Sequence, residues 1–593
     1  MWLPKHDPLK NVLYIDLTLK KYWVEDRSDL FEEFMGGTGV AIKLLEEEVP
    51  KNVDPLGPEN VIIFAVGPFN GIYPAVSKTV AMFKSPHTGN LGESHAGGRS
   101  SIAIRLAGYG AIVIKGVSDV PVWVSVRGKT VKFNDARALW GMRSSFTVGR
   151  IIRENEPNPG FRTIMRIGRA GEKLITYAGV ITETYRHFGR LGLGAVFGSK
   201  KLKAFVVSGR GSLPILNKRE YRRIYKELYD TIVKSPAMKK YHDLGTPVNV
   251  LRLNEIKALP TRNLKSSQFE NAKLLSGENL AEGYLARRMA CSHCPVACIH
   301  LAALREPYVD EPYFYKTTFV SYDYEPIFAL GTMLGAKSVE GFLKLLDRIE
   351  TYGLDAMSTG VVLAWATEAY EKGIIGEKEL LGIKPKWGDH EEYLKMVENL
   401  VNQPNDFYKA LGRGVSYASK IYGGEDFALS FGGNEMPGYH TGPAAPYSFM
   451  VGARHSHLDS AGYSLDEKTI GKELSAEEIV EKLLKEERWR QVLTSLVICL
   501  FARGVYKPEV VVEAFKPLGV EATVDDLFEL GKRIHLEKYR FKIREGFNLD
   551  EYKFPKRIFE TPTPHGYLSE EKLMKMKEMF KEIIYKELSL AEK

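Results

Sequence analysis

The sequence predicts an α+β fold in which a sheet-forming N-terminal part is followed by helical ones. Up to about residue 210 short apolar runs alternate with Gly, Pro and Asn turns, and beyond it apolar residues recur at helical spacing. A third observation is local: three of the four cysteines fall between Cys291 and Cys298, inside the helical part.

The strand-like runs are residues 61–67, 111–117, 122–126 and 202–208. In the helical part, Phe342, Leu345, Leu346 and Ile349 repeat at i, i+3, i+4, i+7 and stop at Gly353. Ser475 and Glu478 form a capping-box start to a helix through Ile479, Leu483 and Leu484, and Ser569 leads into Leu573, Met576 and Phe580. No internal repeat or low-complexity linker separates these parts, so they are expected to pack around a shared centre.

At about 100–200 residues per domain, 593 residues imply three or so domains with ample apolar surface to bury. The first residues lack a signal-peptide apolar region and no run reaches the ~18 apolar residues of a bilayer span, so a cytoplasmic protein without a membrane partner is expected. A net charge of +8 without basic runs argues against nucleic acid and suits phosphate-bearing cofactors or an acidic electron carrier.

Cys291, Cys294 and Cys298 are too crowded to pair as disulfides with one distant thiol. They can instead wrap a compact metal centre with Cys499, from the apolar run 496–501, as fourth ligand. A 4Fe–4S cluster is the first reading. Structural zinc stands beside it, although zinc usually draws two C-x2-C pairs and the second half here offers one thiol. The radical-SAM spacing C-x3-C-x2-C is the reverse of the C-x2-C-x3-C found, and an ordinary buried thiol at Cys499 stays open on spacing alone.

Two glycine-rich stretches could bring backbone N–H groups up to an anion: residues 84–98, including His95, Ala96, Gly97 and Gly98, and residues 186–200, beginning Arg186, His187, Phe188, Gly189, Arg190. With Lys78 they offer charge-assisted donors to phosphates, although neither is a Walker or Rossmann motif and plain turns fit them too. Acidic residues gather at Asp323 and Glu325 and around Glu350, Gly353 and Asp355, where caps or solvated faces are the simpler reading.

Residues 53–60, 84–89, 107–113, 194–200, 291–298, 324–331, 352–360 and 495–501 together resemble, in order and spacing, the tungsten-containing aldehyde:ferredoxin oxidoreductases, over nearly the whole chain. The resemblance implies an N-terminal double-sheet domain (1–210) forming the base of a bis-pyranopterin cofactor. Two mostly helical domains (211–430 and 431–593) close over it. Tungsten, with molybdenum possible, is held in that family by pterin dithiolenes, and magnesium bridges the pterin phosphates. Cys499 closes the 4Fe–4S cluster and lies against one pterin.

Carried over by position, Lys78, His95, Ala96, Gly97, Gly98, Arg186, His187, Phe188, Gly189 and Arg190 lie along the first pterin. Glu350, Gly353, Leu354 and Asp355 match the D-x-x-G-L-D pattern of the second, with Glu350 replacing the leading aspartate, and Asp459 occupies a lysine-contact position. The second pattern, D-x-x-G-x-C, reads Thr494 to Cys499 through Val497 and Ile498 and lacks its Asp and Gly. Glu325 and His457 are the implied catalytic pair, one as base and one polarising the aldehyde carbonyl. Positions that bind an interface metal in homodimeric members are Lys344 and Asp347 here, so that metal is expected to be absent, and ferredoxin or a polyferredoxin-like small subunit is the expected partner. An iron–sulfur electron-transfer or scaffolding relative without aldehyde oxidation is the alternative.

Overall fold

The computed structural model describes residues 1–157, 161–311 and 313–591. Twelve strands form two six-stranded sheets. The first holds β1 (Asn11–Asp16), β2 (Lys21–Asp26), β3 (Ile62–Ala65), β4 (Thr79–Lys84), β5 (Leu91–Ala96) and β6 (Ala111–Lys115), in the order β2-β1-β6-β3-β4-β5. The second holds β7 (Val122–Arg127), β8 (Thr130–Asp135), β9 (Arg162–Arg166), β10 (Val180–Ile181), β11 (His187–Phe188) and β12 (Leu202–Ser208), in the order β11-β10-β9-β12-β7-β8. Only β1–β6 and β12–β7 run parallel among these pairings.

The sheets meet through aromatic side chains. Phe64 of β3 stacks on Phe205 of β12 with centroids 5.7 Å apart and planes 7° from parallel, and Phe188 approaches it at 5.4 Å. Every residue of β3, β4 and β12 is buried, because each is covered on both faces. Such strands read as unbroken apolar runs rather than alternations. This N-terminal double-sheet domain is the one expected from the sequence.

Helices follow. Val339–Tyr352 starts at Ser338, whose hydroxyl accepts from Gly341 N, and ends at Gly353 with φ 73°; Phe342, Leu345, Leu346 and Ile349 are its buried stripe. Ala476–Ser495 begins with the expected Ser475–Glu478 capping box, and Glu570–Ala591 buries Leu573, Met576 and Phe580. One element was not foreseen. A three-stranded antiparallel sheet, β13 (Leu285–Met289), β14 (Ile299–Pro307) and β15 (Tyr315–Tyr322), interrupts the helices, with the loop of Cys291, Cys294 and Cys298 joining β13 to β14. Its strands show no clean alternation because most of β13 and the outer ends of β14 and β15 are exposed.

Buried ion pairs join distant parts. Lys84 meets Glu545 at 2.6 Å, Arg557 meets Glu368 at 2.5 Å, and Arg105 holds both oxygens of Asp7. Backbones also meet closely: a Cβ on Gly67 would lie 2.3 Å from Ser495 O, and one on Gly37 2.3 Å from Thr494 O. The helix end preceding Cys499 thus rests on two positions that admit no side chain.

We expect Gly67→Ala to destabilise the protein by about 3 kcal/mol, as overpacking against backbone does. Gly504→Ala, where a Cβ meets nothing within 4 Å, should change stability little. Denaturant unfolding checks both, and equal midpoints would refute the steric account.

Candidate active site

Two loops carry the thiols. In the first, Cys294 N donates to Cys291 O, Ser292 N donates to Gly98 O at 2.9 Å, and His293 O accepts from Ala75 N. In the second, Cys499 N donates to Ala75 O at 3.0 Å while Val497 O accepts from Lys78 N. Residues 75–78 of the sheet domain therefore hold both loops by main-chain bonds. His293, Ala297 and Val497 adopt positive φ (57°, 52° and 57°), an unfavourable conformation for side-chain-bearing residues that the surroundings impose.

All four cysteines are free and half-buried. Burial, and after it the neighbouring thiols with Cys499 foremost, pushes Cys294 and Cys298 up to about 12. Burial alone would lower Lys78, yet the sulfurs of Cys499 and Cys291 raise it. A Cβ on Gly97 would lie 2.7 Å from Cys291 Sγ and 3.3 Å from Lys78 Nζ, so Ala96 to Gly98 form a bare backbone wall beside the sulfurs. Four mutually repelling thiols round one space suit a cationic centre that takes them as thiolates. Among the described residues no three His, Cys, Asp or Glu converge on a point that one ion would fill.

His95 ends β5 beside Glu93, its partner at 2.7 Å, and Glu93 also binds Lys538 at 2.5 Å and Thr38 Oγ1 at 2.9 Å. Burial and then Arg454 bring His95 down to about 4, so it is neutral. Asp459 is occupied within its own loop, accepting from Arg454 Nε at 2.7 Å and from the N–H groups of Arg454 and Ser456, which fixes the turn bearing His457.

On the opposite side the second acidic motif is stapled to the sheet domain. Gly179 N donates to Gly353 O and Asp355 N to Tyr177 O, while Leu354 bridges Ala178. Asp355 caps the helix Ala356–Glu371 and meets Arg190 Nε at 3.3 Å; Glu350 meets His187 Nε2 at 2.5 Å. Arg190 Nη2 donates to Glu435 O, but its Nη1 is buried without a partner, a donor poised for an anion. A Cβ on Gly189 would lie 3.8 Å from Asp355 Oδ1. Arg186, 3.7 Å from Asp323, links this region to the thiols, for its charge is felt at both Asp323 and Cys298.

Glu325 opens a short helical turn that continues as a π-helix over Ile327–Thr332, a geometry common at functional sites. His457 Nε2 stands 3.3 Å from Glu325 Oε1, and Tyr439 OH donates to the same oxygen at 3.4 Å. Burial alone would raise the Glu325 carboxyl, but the His457 hydrogen bond and charge, with Tyr439 behind them, hold it below its ordinary value. His457 is 5% exposed and its Nδ1 has no partner. Asp323, two residues before Glu325, is pushed up to about 6 by burial and by the Glu325 charge. Tyr439 stacks on Tyr463 at 4.1 Å, giving the pair an aromatic wall.

Three candidate residues contribute no side-chain polar contact to this space. Phe188 points into the inter-sheet core, Thr494 Oγ1 donates back to Arg490 O on its own helix, and Ile498 is simply buried. Lys344 pairs with Glu306 at 3.3 Å, which occupies its ammonium. Glu93 and Glu435 were missed. Glu435 is held at about 2: burial raises it, but His87, 2.8 Å away, and Ser358 more than compensate. Glu93 had a readable signal, lying two residues before His95 on the same strand face.

Four free thiols alongside a buried carboxylate–imidazole pair, on a double-sheet base capped by helices, mark an oxidoreductase. Family models described as the aldehyde ferredoxin oxidoreductase N-terminal domain and domains 2 & 3 match residues 12–209 and 223–588, and the chain belongs to the aldehyde ferredoxin oxidoreductase family. It is 31% identical over 572 residues to a tungsten-containing aldehyde ferredoxin oxidoreductase of Thermococcus kodakarensis, covering 93% of this chain and 92% of that one. It is 30% identical to that of Pyrococcus furiosus, covering 91% and 89%. It is also 29% identical, over 69% of this chain and 66% of the relative, to an aliphatic sulfonate oxidoreductase, WOR-like subunit, of Pyrococcus furiosus. The active site complex BamBC of benzoyl coenzyme A reductase shares the fold, with a TM-score of 0.82 at 20% identity, covering 98% of this chain and 95% of that one. No helix among the described residues is long and apolar enough to cross a membrane.

Because His457 lowers the Glu325 carboxyl while burial raises it, His457→Phe should move Glu325 upward. The acid limb of kcat/KM, expected below the ordinary carboxylate range in the parent, should then move to higher pH. An unmoved limb in the residual activity would show that Glu325 is not the titrating group.

Proposed function

We propose that the protein oxidises aldehydes to carboxylates on a tungsten bis-pyranopterin, with molybdenum the alternative metal. Electrons leave through a 4Fe–4S cluster on Cys291, Cys294, Cys298 and Cys499 to ferredoxin or a ferredoxin-like subunit in the cytoplasm. The observation that carries the reading is the buried Glu325–His457 contact at 3.3 Å, in a chain of this family. The reaction is RCHO + H2O → RCOO⁻ + 3 H⁺ + 2 e⁻. The bound metal supplies the two-electron sink.

The chain's residues do the rest. Glu325, ionised across the neutral range, takes a proton from water or from the aldehyde hydrate, and Tyr439 orients its carboxylate. His457, its Nε2 turned to Glu325 and its Nδ1 unpartnered, is the group that polarises the carbonyl oxygen. Arg190, with its unpartnered Nη1, and Lys78 would hold pterin phosphate or ring oxygens, and the wall from Ala96 to Gly98 admits a flat ring. Magnesium would neutralise charge on the pterin phosphates. The Asp and Gly missing before Cys499 leave Thr494 turned onto its own helix, so that side of the cofactor lacks a carboxylate acceptor from this loop.

The test begins with elemental analysis of anaerobically purified protein. About one tungsten and four irons per chain are expected; zinc alone would sink the assignment. Viologen reduction should then follow with some member of a panel of aldehydes, to which aliphatic sulfonates are added because one relative carries that name. Glu325→Gln should retain tungsten and iron but lower kcat by about 10²–10⁴, the usual worth of a positioned base.

A further inference from the structure

The four thiols lie near the surface, with His293 and Ala290 of their loop exposed. Three segments bearing cations are fastened to them. Tyr241, in the helix Pro236–Asp243, stacks on Phe501 at 4.3 Å, and His242 Nδ1 meets Val296 O at 2.8 Å. Lys240 precedes these two residues on the same helix and is exposed. Arg288 of β13 donates to the carbonyls of His242 and Asp243, and Arg287 precedes it on the same exposed strand. Arg503 follows Cys499 by one short turn and donates to Leu500 O at 2.8 Å.

Ion pairs are frequent elsewhere on this surface, yet Lys240, Arg287, Arg288 and Arg503 have no carboxylate partner among the described residues. The local acid Asp243 is taken by Lys239. Like charges on these fastened segments repel one another, and a partner of opposite sign relieves that repulsion. We propose that this collar is the docking surface for an acidic, low-potential iron–sulfur protein that accepts electrons at the exposed edge of the cysteine loops. The inference rests on the function proposed above and adds where, and by what charge, the carrier binds. Opposite charge steers the encounter, and screening makes it sensitive to salt over a Debye length of about 10 Å at 0.1 M.

The test uses the holoenzyme and a purified acidic 4Fe–4S ferredoxin. In Lys240→Glu/Arg287→Glu, the Kd for ferredoxin by calorimetry and its KM should both rise tenfold or more at low ionic strength. The salt dependence of kcat/KM should flatten, and benzyl viologen activity should not fall. Lys129→Glu, in the turn between β7 and β8, should leave all of these unchanged. An unaltered Kd in the double variant, or an equal loss in Lys129→Glu, overturns the assignment. If the parent enzyme oxidises no substrate with viologen, the proposed function has failed, while the calorimetric comparison still decides whether the collar binds the carrier.

Discussion

Everything in the site depends on a backbone-to-backbone contact. The end of the helix Ala476–Ser495 presses on Gly37 and Gly67 at distances no Cβ allows, and the turn that follows hands Cys499 to residues 75–78 of the sheet domain. Because those residues also bind the loop of Cys291, one short stretch of sheet-domain backbone sets the relative positions of thiols from two remote stretches of chain. Glycine there is a steric requirement, since any side chain would displace the helix and the sulfur together.

Buried charge is arranged around this contact in matched sets. Glu93 holds His95, Lys538 and Thr38; Glu435 holds His87, Ser358 and Val415 N; Glu368 holds Arg557 and Asn263. Each carboxylate joins elements from different parts of the chain. Leaving such a group unpaired in the interior costs several kcal/mol, so these sets favour one assembled arrangement over looser ones. Among the atoms left without a partner are Arg190 Nη1 and His457 Nδ1, both at the candidate site.

Much of this was legible before the coordinates. The helix Val339–Tyr352 announces itself through Ser338, its apolar stripe and Gly353, all local signals. The buried strands β3 and β12 are equally plain as apolar runs. By contrast β13 to β15 escaped notice, because exposed strands lose the alternation that burial imposes on one face. In the site, the clustered cysteines spoke for themselves, whereas pairing Glu325 with His457 needed the family resemblance: nothing local in either segment points to the other. Tyr439 and Glu435 carry no motif at all, and only tertiary packing gives them their neighbours. Phe188 and Thr494 show the reverse failure, since a matched sequence position does not fix where its side chain points.

The fourth thiol comes from the last part of the chain, on a turn positioned only after the helix Ala476–Ser495 has seated itself on the sheet domain. During synthesis Cys291, Cys294 and Cys298 leave the ribosome well ahead of Cys499. Nothing can bridge all four sulfurs until Cys499 has been made and the helix before it has docked on Gly37 and Gly67. Loading of the proposed centre is thereby tied to that docking, and a product truncated before Cys499 would lack the fourth thiol.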